Sequence, residues 1–301
     1  MLSRLLVLAL LLQPAAAVQF DSNRAWGHLT QLVATGPRPS GSPAIELARK
    51  YIKEQLAAVG LTAVEQKWMQ DTPGGRLAMS NLVATIPGAR PDRIVIAGHY
   101  DTKRFSEFRF VGANDGGSSG AFLIEMGRVL KTRKNPLTIE LLFLDGEEAV
   151  RPVWAGTDNT YGSRHYVESA KRDGSLAGLK ALILVDMIAD RDLHIRRDTN
   201  STSWLSDAIW GAAKRLKLDD YFVPCPGDNP RAQCSTTIED DHLPFLKADV
   251  PAVDIIDLEF EHWHRPGDTL DAVSARSLQV VGDVVLAALP QIEARLARPV
   301  R

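Results

Sequence analysis

Cysteine is scarce: Cys225 and Cys234 are the only two in 301 residues. A chain of this length with so few cross-links must draw its stability from a packed core. No second Cys or His pair stands beside them at finger spacing, so a structural zinc finger or ribbon is excluded. Charge of one sign is also lacking. Thirty-five basic against 37 acidic residues leave a net charge of −2. No basic block stands out, so a phosphate-matching surface for nucleic acid is not expected. Beyond the N-terminus no apolar run is long enough to span a bilayer. Internal repeats, low-complexity linkers and composition breaks are all missing, which argues against a solenoid or a string of separate domains.

What is present begins with a targeting segment. Arg4 supplies a positive start, residues 5–12 a short apolar stretch, and Pro14, Ala15, Ala16 and Ala17 a small-residue cleavage site. Residues 1–17 therefore read as a signal peptide, and 18–301 as one exported domain, secreted or periplasmic, without stable membrane insertion. The rival reading of residues 1–17 is an uncleaved anchor. In an oxidising compartment Cys225 and Cys234, nine positions apart in a Pro- and Gly-rich loop, can close a disulfide. Two free thiols are the alternative.

Hydrophobic periodicity gives alternating strands and helices. Residues 93–98, 137–144, 179–187 and 252–256 are apolar without alternation, as expected of parallel strands buried on both faces. Residues 61–69 read as an edge strand, 71–75 as a turn, and 81–86 as a strand closed by Pro87 and Gly88. Residues 193–197 are a candidate short strand. Helical spacing covers 21–35, 44–59, 118–131, 161–171, 203–216 and 274–297, with a short helix at 240–248. Ser201 or Ser203 is the candidate cap for 203–216. This order predicts an α/β fold: a single globular domain whose central, mixed, mostly parallel β-sheet is flanked by helices.

In an open α/β sheet, ligands bind outside the carboxyl ends of the strands. The chain's reactive side chains collect at that edge. His99 and Asp101 end one buried strand, Glu147 and Glu148 follow the next, and Asp186 ends the third. Asp115 lies in a Gly-rich segment that opens a helix, and His264 in the loop after the fourth strand. Asp115, Glu148 and His264 offer two oxygens and a nitrogen, a set that suits zinc with one open position. Glu147 and Glu148 are adjacent, so one can ligate while the other serves as general acid or base. His99 and Asp186 can complete a second metal site with Asp115 as the bridge. One ion or two stays open at this point.

The ordered set Gly98-His99-Tyr100-Asp101, Gly112-Ala113-Asn114-Asp115, Asp145-Gly146-Glu147-Glu148, Val185-Asp186-Met187-Ile188 and Trp263-His264 resembles zinc aminopeptidases of the M28 type over most of the chain. Within that clan it is most similar to the glutaminyl-peptide cyclotransferases. The closer likeness rests on His99-Tyr100-Asp101-Thr102-Lys103, on Trp154 followed by Tyr161-Gly162-Ser163-Arg164-His165, and on Asp240-Asp241-His242-Leu243-Pro244-Phe245. Three features depart from the animal enzymes. The loop from Glu148 to Trp154 is one residue longer, Asp254 replaces a strand histidine, and the disulfide next to the active site is absent.

The resemblance implies a zinc aminopeptidase-like α/β hydrolase-type sandwich. It implies an acyltransferase that converts N-terminal Gln, and weakly Glu, of a peptide or protein to pyroglutamate with release of ammonia. One zinc per chain would sit on Asp115, Glu148 and His264. Glu147 would shuttle the proton, with Asp186 and Asp240 sharing another between two close carboxylates. Trp154, Trp263 and Ile238 would bind the substrate side chain. His99, Asp101, Asp241 and His242 would support the ligands from behind. The partner is then a peptide N-terminus, not nucleic acid; the oligomeric state stays open, with a monomer favoured. A two-zinc M28 aminopeptidase is the alternative on the same fold, and a non-catalytic binding ectodomain a third reading.

Overall fold

Six strands form the central sheet of this computed structural model, which describes residues 18–223 and 235–297. The proposed targeting segment, Cys225 and Cys234 lie outside the described residues. Two helices come first. Helix α1 (Ser22–Ala34) starts at Asp21, whose carboxylate accepts from the Asn23 and Arg24 amides. Helix α2 (Pro43–Ala58) starts at Ser42, whose hydroxyl accepts from the Ile45 amide, with Pro43 at the first helical position. A hairpin follows: β1 (Ala63–Thr72) and β2 (Gly75–Ile86), paired antiparallel from Ala63↔Ala84 to Thr72↔Gly75. The expected turn at 71–75 is thus tighter, only Pro73 and Gly74. Along β1 exposed residues alternate with half-buried ones, the pattern of an edge strand.

The chain then alternates. Strand β3 (Arg90–His99) is followed by α3 (Gly117–Thr132), β4 (Leu137–Leu144), α4 (Tyr161–Arg172) and β5 (Leu179–Asp186). A two-residue strand β6 (Arg197–Asp198) and α5 (Ser203–Leu216) come next, then β7 (Ser235–Thr236), α6 (His242–Leu246), β8 (Ala252–Ile256) and α7 (Ala275–Leu296). The sheet order is β1-β2-β4-β3-β5-β8. Strands β4, β3, β5 and β8 are parallel, while β2 runs antiparallel to both β4 and β1. The sheet is mixed and mostly parallel, in a single α/β domain. Among the described residues, no helix is long and apolar enough to cross a membrane.

Period two explains the continuous apolar runs. Ile94 and Ile96 of β3, Ile139, Leu141 and Phe143 of β4, and Ile183 and Val185 of β5 join the core formed with α1, α2, α3, α5 and α7. Their alternates Val95, Ala97, Leu142, Leu144, Leu182 and Leu184 pack with Tyr166, Val167 and Ala170 of α4 and Phe245 of α6. Helices therefore cover both faces, and every residue of β4 is buried.

Two helix starts differ from expectation. Thr202, not Ser201 or Ser203, caps α5, and makes no side-chain bond to the helix. Its hydroxyl instead accepts from the Ala252 amide, and the Ser201 hydroxyl donates to Asp198 and accepts from the Asp254 amide. Tertiary partners on β6 and β8 win over local capping. Helix α6 is shorter than 240–248, and Asp241 precedes it without capping it.

Candidate active site

The four parallel strands end at one edge, and their continuations carry the site. His99 is the last residue of β3 and Asp186 the last of β5. Glu147 and Glu148 follow β4 after Gly146, whose φ of +75° turns the chain at the strand end. The Thr160 and Tyr161 amides, at the start of α4, donate to the Glu147 and Gly146 carbonyls at 2.8 Å each and pin this loop. Asp115 precedes α3 in a turn that Asp268 holds. The Asp268 carboxylate accepts from the Asn114 amide at 2.7 Å and the Asp115 amide at 3.1 Å. Arg38 braces the same turn through the carbonyls of Val111 and Gly112. Asn114 accepts from the Ala189 amide at 2.7 Å, tying the turn to the segment after β5.

Two ligand sets result, and they share Asp115. The donor atoms of Asp115, Glu148 and His264 lie within 4.8 Å of one another, and so do those of His99, Asp115 and Asp186. In the first set His264 Nε2 lies 3.2 Å from Glu148 Oε1 and 3.4 Å from Asp115 Oδ2. In the second, His99 Nε2 lies 3.0 Å from Asp186 Oδ1 and 3.2 Å from Asp115 Oδ1. Asp115 Oδ2 is buried without a hydrogen-bond donor, although it faces both His264 and the cavity. An orphaned buried carboxylate oxygen among nitrogen and oxygen donors fits a divalent cation, and the donor types fit zinc.

Electrostatics separate the neighbours Glu147 and Glu148. Burial, reinforced by the charges of Glu148, Asp240 and Asp241, holds the Glu147 carboxyl well above the ordinary range despite His99. Burial would also raise Glu148, but the hydrogen bond and charge of His264, with Lys103, pull it below the ordinary value. Asp115 is pushed up to about 6 by burial and by the Glu148 charge. Burial would lower His264 and His99, and in both the carboxylates around the ring win and raise it. The protons held by the metal-free site are therefore the ones a cation must displace.

Above the floor lies an open-mouthed cavity of about 280 Å³. Asp115, Glu147, Glu148, Asp186, Asp240 and His264 line it, with Trp154, Trp263, Ile238, Ile256, Leu258 and Met187 as apolar walls. Trp154 is half-buried and Trp263 is 43% exposed, so neither is a core residue. His264 and Met187 both have positive φ, +53° and +45°, a backbone region that non-glycine residues rarely occupy and that clusters at functional sites.

The family model described as Peptidase family M28 matches residues 81–289, from β2 into α7. The chain belongs to peptidase family M28. Among solved M28-like structures, a glutaminyl cyclase from an Acidobacteriales bacterium is 39% identical with a TM-score of 0.85, covering 94% of this chain and 99% of that one. A glutaminyl-peptide cyclotransferase-like protein of Mus musculus is 31% identical over 83% of this chain and 70% of its own length. A Zn-dependent exopeptidase from Parabacteroides distasonis, 20% identical with a TM-score of 0.79 over 91% of this chain and 99% of that one, shares the fold.

On this M28 frame the expected residues sort by position. Asp115, Glu148 and His264 come together, and Glu147, Asp186, Asp240, Trp154, Trp263 and Ile238 face the same cavity. Asp101 stands behind: its oxygens accept from the Glu147 and Glu148 amides at 3.2 and 3.4 Å, and Oδ1 lies 3.4 Å from His99 Nδ1. Asp241 accepts from the Ser163 hydroxyl. His242 is fully buried away from both ligand sets, with Nε2 3.2 Å from Asp198 and Nδ1 3.6 Å from Asp254. His99 is more than a support, since it stands in a ligand set of its own. Asp186 and Asp240, expected to share a proton, both line the cavity. Asp186 Oδ1 accepts from His99 and the Met187 amide, and Asp240 Oδ2 has no partner. The two are still close enough that burial and then the Asp186 charge push Asp240 up to about 7.

Several contributors escaped the sequence reading. Met187, Ile256 and Leu258 sit at or just past strand ends, a placement that could have marked them. Arg38 and Asp268 carry no such signal, because their partners are main-chain groups distant in sequence.

Proposed function

We propose that the chain is a zinc-dependent glutaminyl-peptide cyclotransferase that converts N-terminal Gln of peptides to pyroglutamate and releases ammonia. The observation that carries this reading is Glu147. It is a buried carboxyl with a strongly raised affinity for protons, beside a three-donor ligand set and facing an apolar, tryptophan-walled cavity. The likeness at 39% and 31% identity to proteins bearing that name supports it. One zinc would be held by Asp115, Glu148 and His264, where it would polarise the side-chain carbonyl of the substrate Gln.

The remaining work falls to side chains. Trp154, Trp263 and Ile238 enclose the Gln methylenes and exclude water from the reacting amide. The substrate's α-amine attacks its own side-chain carbonyl carbon, forming the ring C–N bond. Glu147 accepts the proton the amine gives up and hands it to the amide nitrogen, which leaves as ammonia as its C–N bond breaks. Asp240, holding a proton near neutral pH, is an acid placed to donate a hydrogen bond at the cavity wall. Asp101 fixes the Glu147 and Glu148 amides so that one carboxylate ligates and the other stays free. The substrate is thus a peptide or protein N-terminus. The exported location and the signal peptide at 1–17 belong to the same proposal, since such substrates are met outside the cytoplasm.

A second reading is a two-metal aminopeptidase, which the His99, Asp115 and Asp186 set favours. Incubation of the zinc-loaded protein with Gln-naphthylamide separates the two. Pyroglutamyl-naphthylamide supports the cyclotransferase, and free naphthylamine supports the peptidase.

A further inference from the structure

Lys103 has no part in the chemistry above, yet it is only 2% exposed. A lysine ammonium is rarely buried without a partner, because leaving water is costly. Its Nζ donates to the Ala149 carbonyl at 3.0 Å and lies 3.5 Å from Glu148 Oε2. The other oxygen of that carboxylate, Oε1, is the one 3.2 Å from His264 Nε2. The two oxygens of Glu148 are therefore divided. One faces the ligand set, and the other faces a cation anchored to the main chain of the next residue.

We propose that Lys103 is a positioning residue that makes Glu148 a one-oxygen ligand, holding Oε2 so that only Oε1 reaches the ion. A carboxylate can bind a cation through one oxygen or both. With Asp115, Glu148 and His264 each giving one atom, a tetrahedral ion keeps one position for the substrate carbonyl. If Glu148 gave both oxygens, that position would be crowded. Without Lys103, Oε2 would be left buried and unpaired, and the ion would be the nearest positive charge for it to turn to. The inference rests on Asp115, Glu148 and His264 as the ligand set.

Cobalt(II) loaded in place of zinc tests it, because four-coordinate cobalt absorbs visible light far more strongly than five- or six-coordinate cobalt. The native protein should give the strong four-coordinate spectrum. In Lys103→Met the intensity per bound cobalt should fall to roughly half or less as the coordination number rises. Zinc affinity, measured against a chromophoric chelator, is read on the same samples. If Lys103→Met keeps the native cobalt spectrum and only binds zinc more weakly, Lys103 merely pins the Ala149 backbone and the proposal is overturned. A weak, high-coordinate spectrum from the native protein overturns it without any variant. Failure of the native protein to bind cobalt at all points instead to an error in the ligand set.

Discussion

At the residue scale, two adjacent glutamates sit in environments that push them apart. Glu148 is drawn toward the ionised form by His264 and Lys103, while burial keeps a proton on Glu147. Glu147→Gln preserves shape and removes the base. A positioned acid–base group contributes about 10²–10⁴-fold, so kcat should fall by that much. Zinc content should not change. A rate within tenfold of native would require another base. The pH dependence has a definite sign. Glu147 acts as a base only after losing its proton, and the α-amine attacks only when neutral, with a pKa of roughly 7.7–8.0. The rate should therefore climb from acid toward mildly alkaline pH, and a rate that falls over that range contradicts the assignment. His264→Ala removes a ligand and should lose zinc and activity together, as metal analysis and assay of one preparation would show. Asp186→Asn separates the two metal readings. A cyclotransferase with one zinc should keep its ion and lose rate, whereas a fall from two ions per chain to one would mark a two-metal peptidase.

At the element scale, parallel strand ends explain why so much of the site could be read from the sequence. Four apolar runs predicted strands buried on both faces, and whatever follows such strands at their carboxyl ends must converge. His99, Glu147, Glu148, Asp186 and His264 were legible for that reason. Asp115 was legible because glycines around it open a helix. Gly116 has a φ of +77°, and a Cβ there would lie 2.2 Å from the Asp101 carbonyl oxygen and 3.0 Å from the His99 ring. Gly116→Ala should therefore disturb both ligand sets at once, with a backbone strain of about 1–3 kcal/mol and a marked loss of metal affinity. Unchanged zinc affinity in that variant would show that the turn yields easily. Long-range polar partners were not legible. Nothing in the pattern around Ser201 tells that it serves Asp198 and Asp254 rather than the helix it precedes. The positions of Asp186 and Asp240 were legible, but not that His99 and the Met187 amide converge on Asp186 Oδ1.

At the scale of the whole molecule, an α/β/α sandwich encloses an unusual number of buried carboxyl groups. Burial pushes Asp257 and Asp268 from 3.8 up to about 7, and Asp241 and Asp254 well above the ordinary range. The folded chain holds these protons more tightly than the unfolded chain does. Their contribution to stability is present in full below the unfolded pKa and is lost as the pH rises through the folded one. Glu65, Glu107, Glu148, Asp173 and Asp198, held low, act in the opposite sense and are outnumbered. The metal-free protein should thus show a melting temperature that declines from about pH 4 to about pH 7, and saturating zinc should flatten the decline. A metal-free melting temperature that rises over this interval would contradict the balance. The central claim, an intramolecular cyclisation, is tested most directly by running the reaction on a Gln-peptide in heavy-oxygen water and reading the product by mass. The account predicts pyroglutamyl peptide with no heavy oxygen and one ammonia released per turnover. Heavy oxygen incorporated into a hydrolysed product would contradict it.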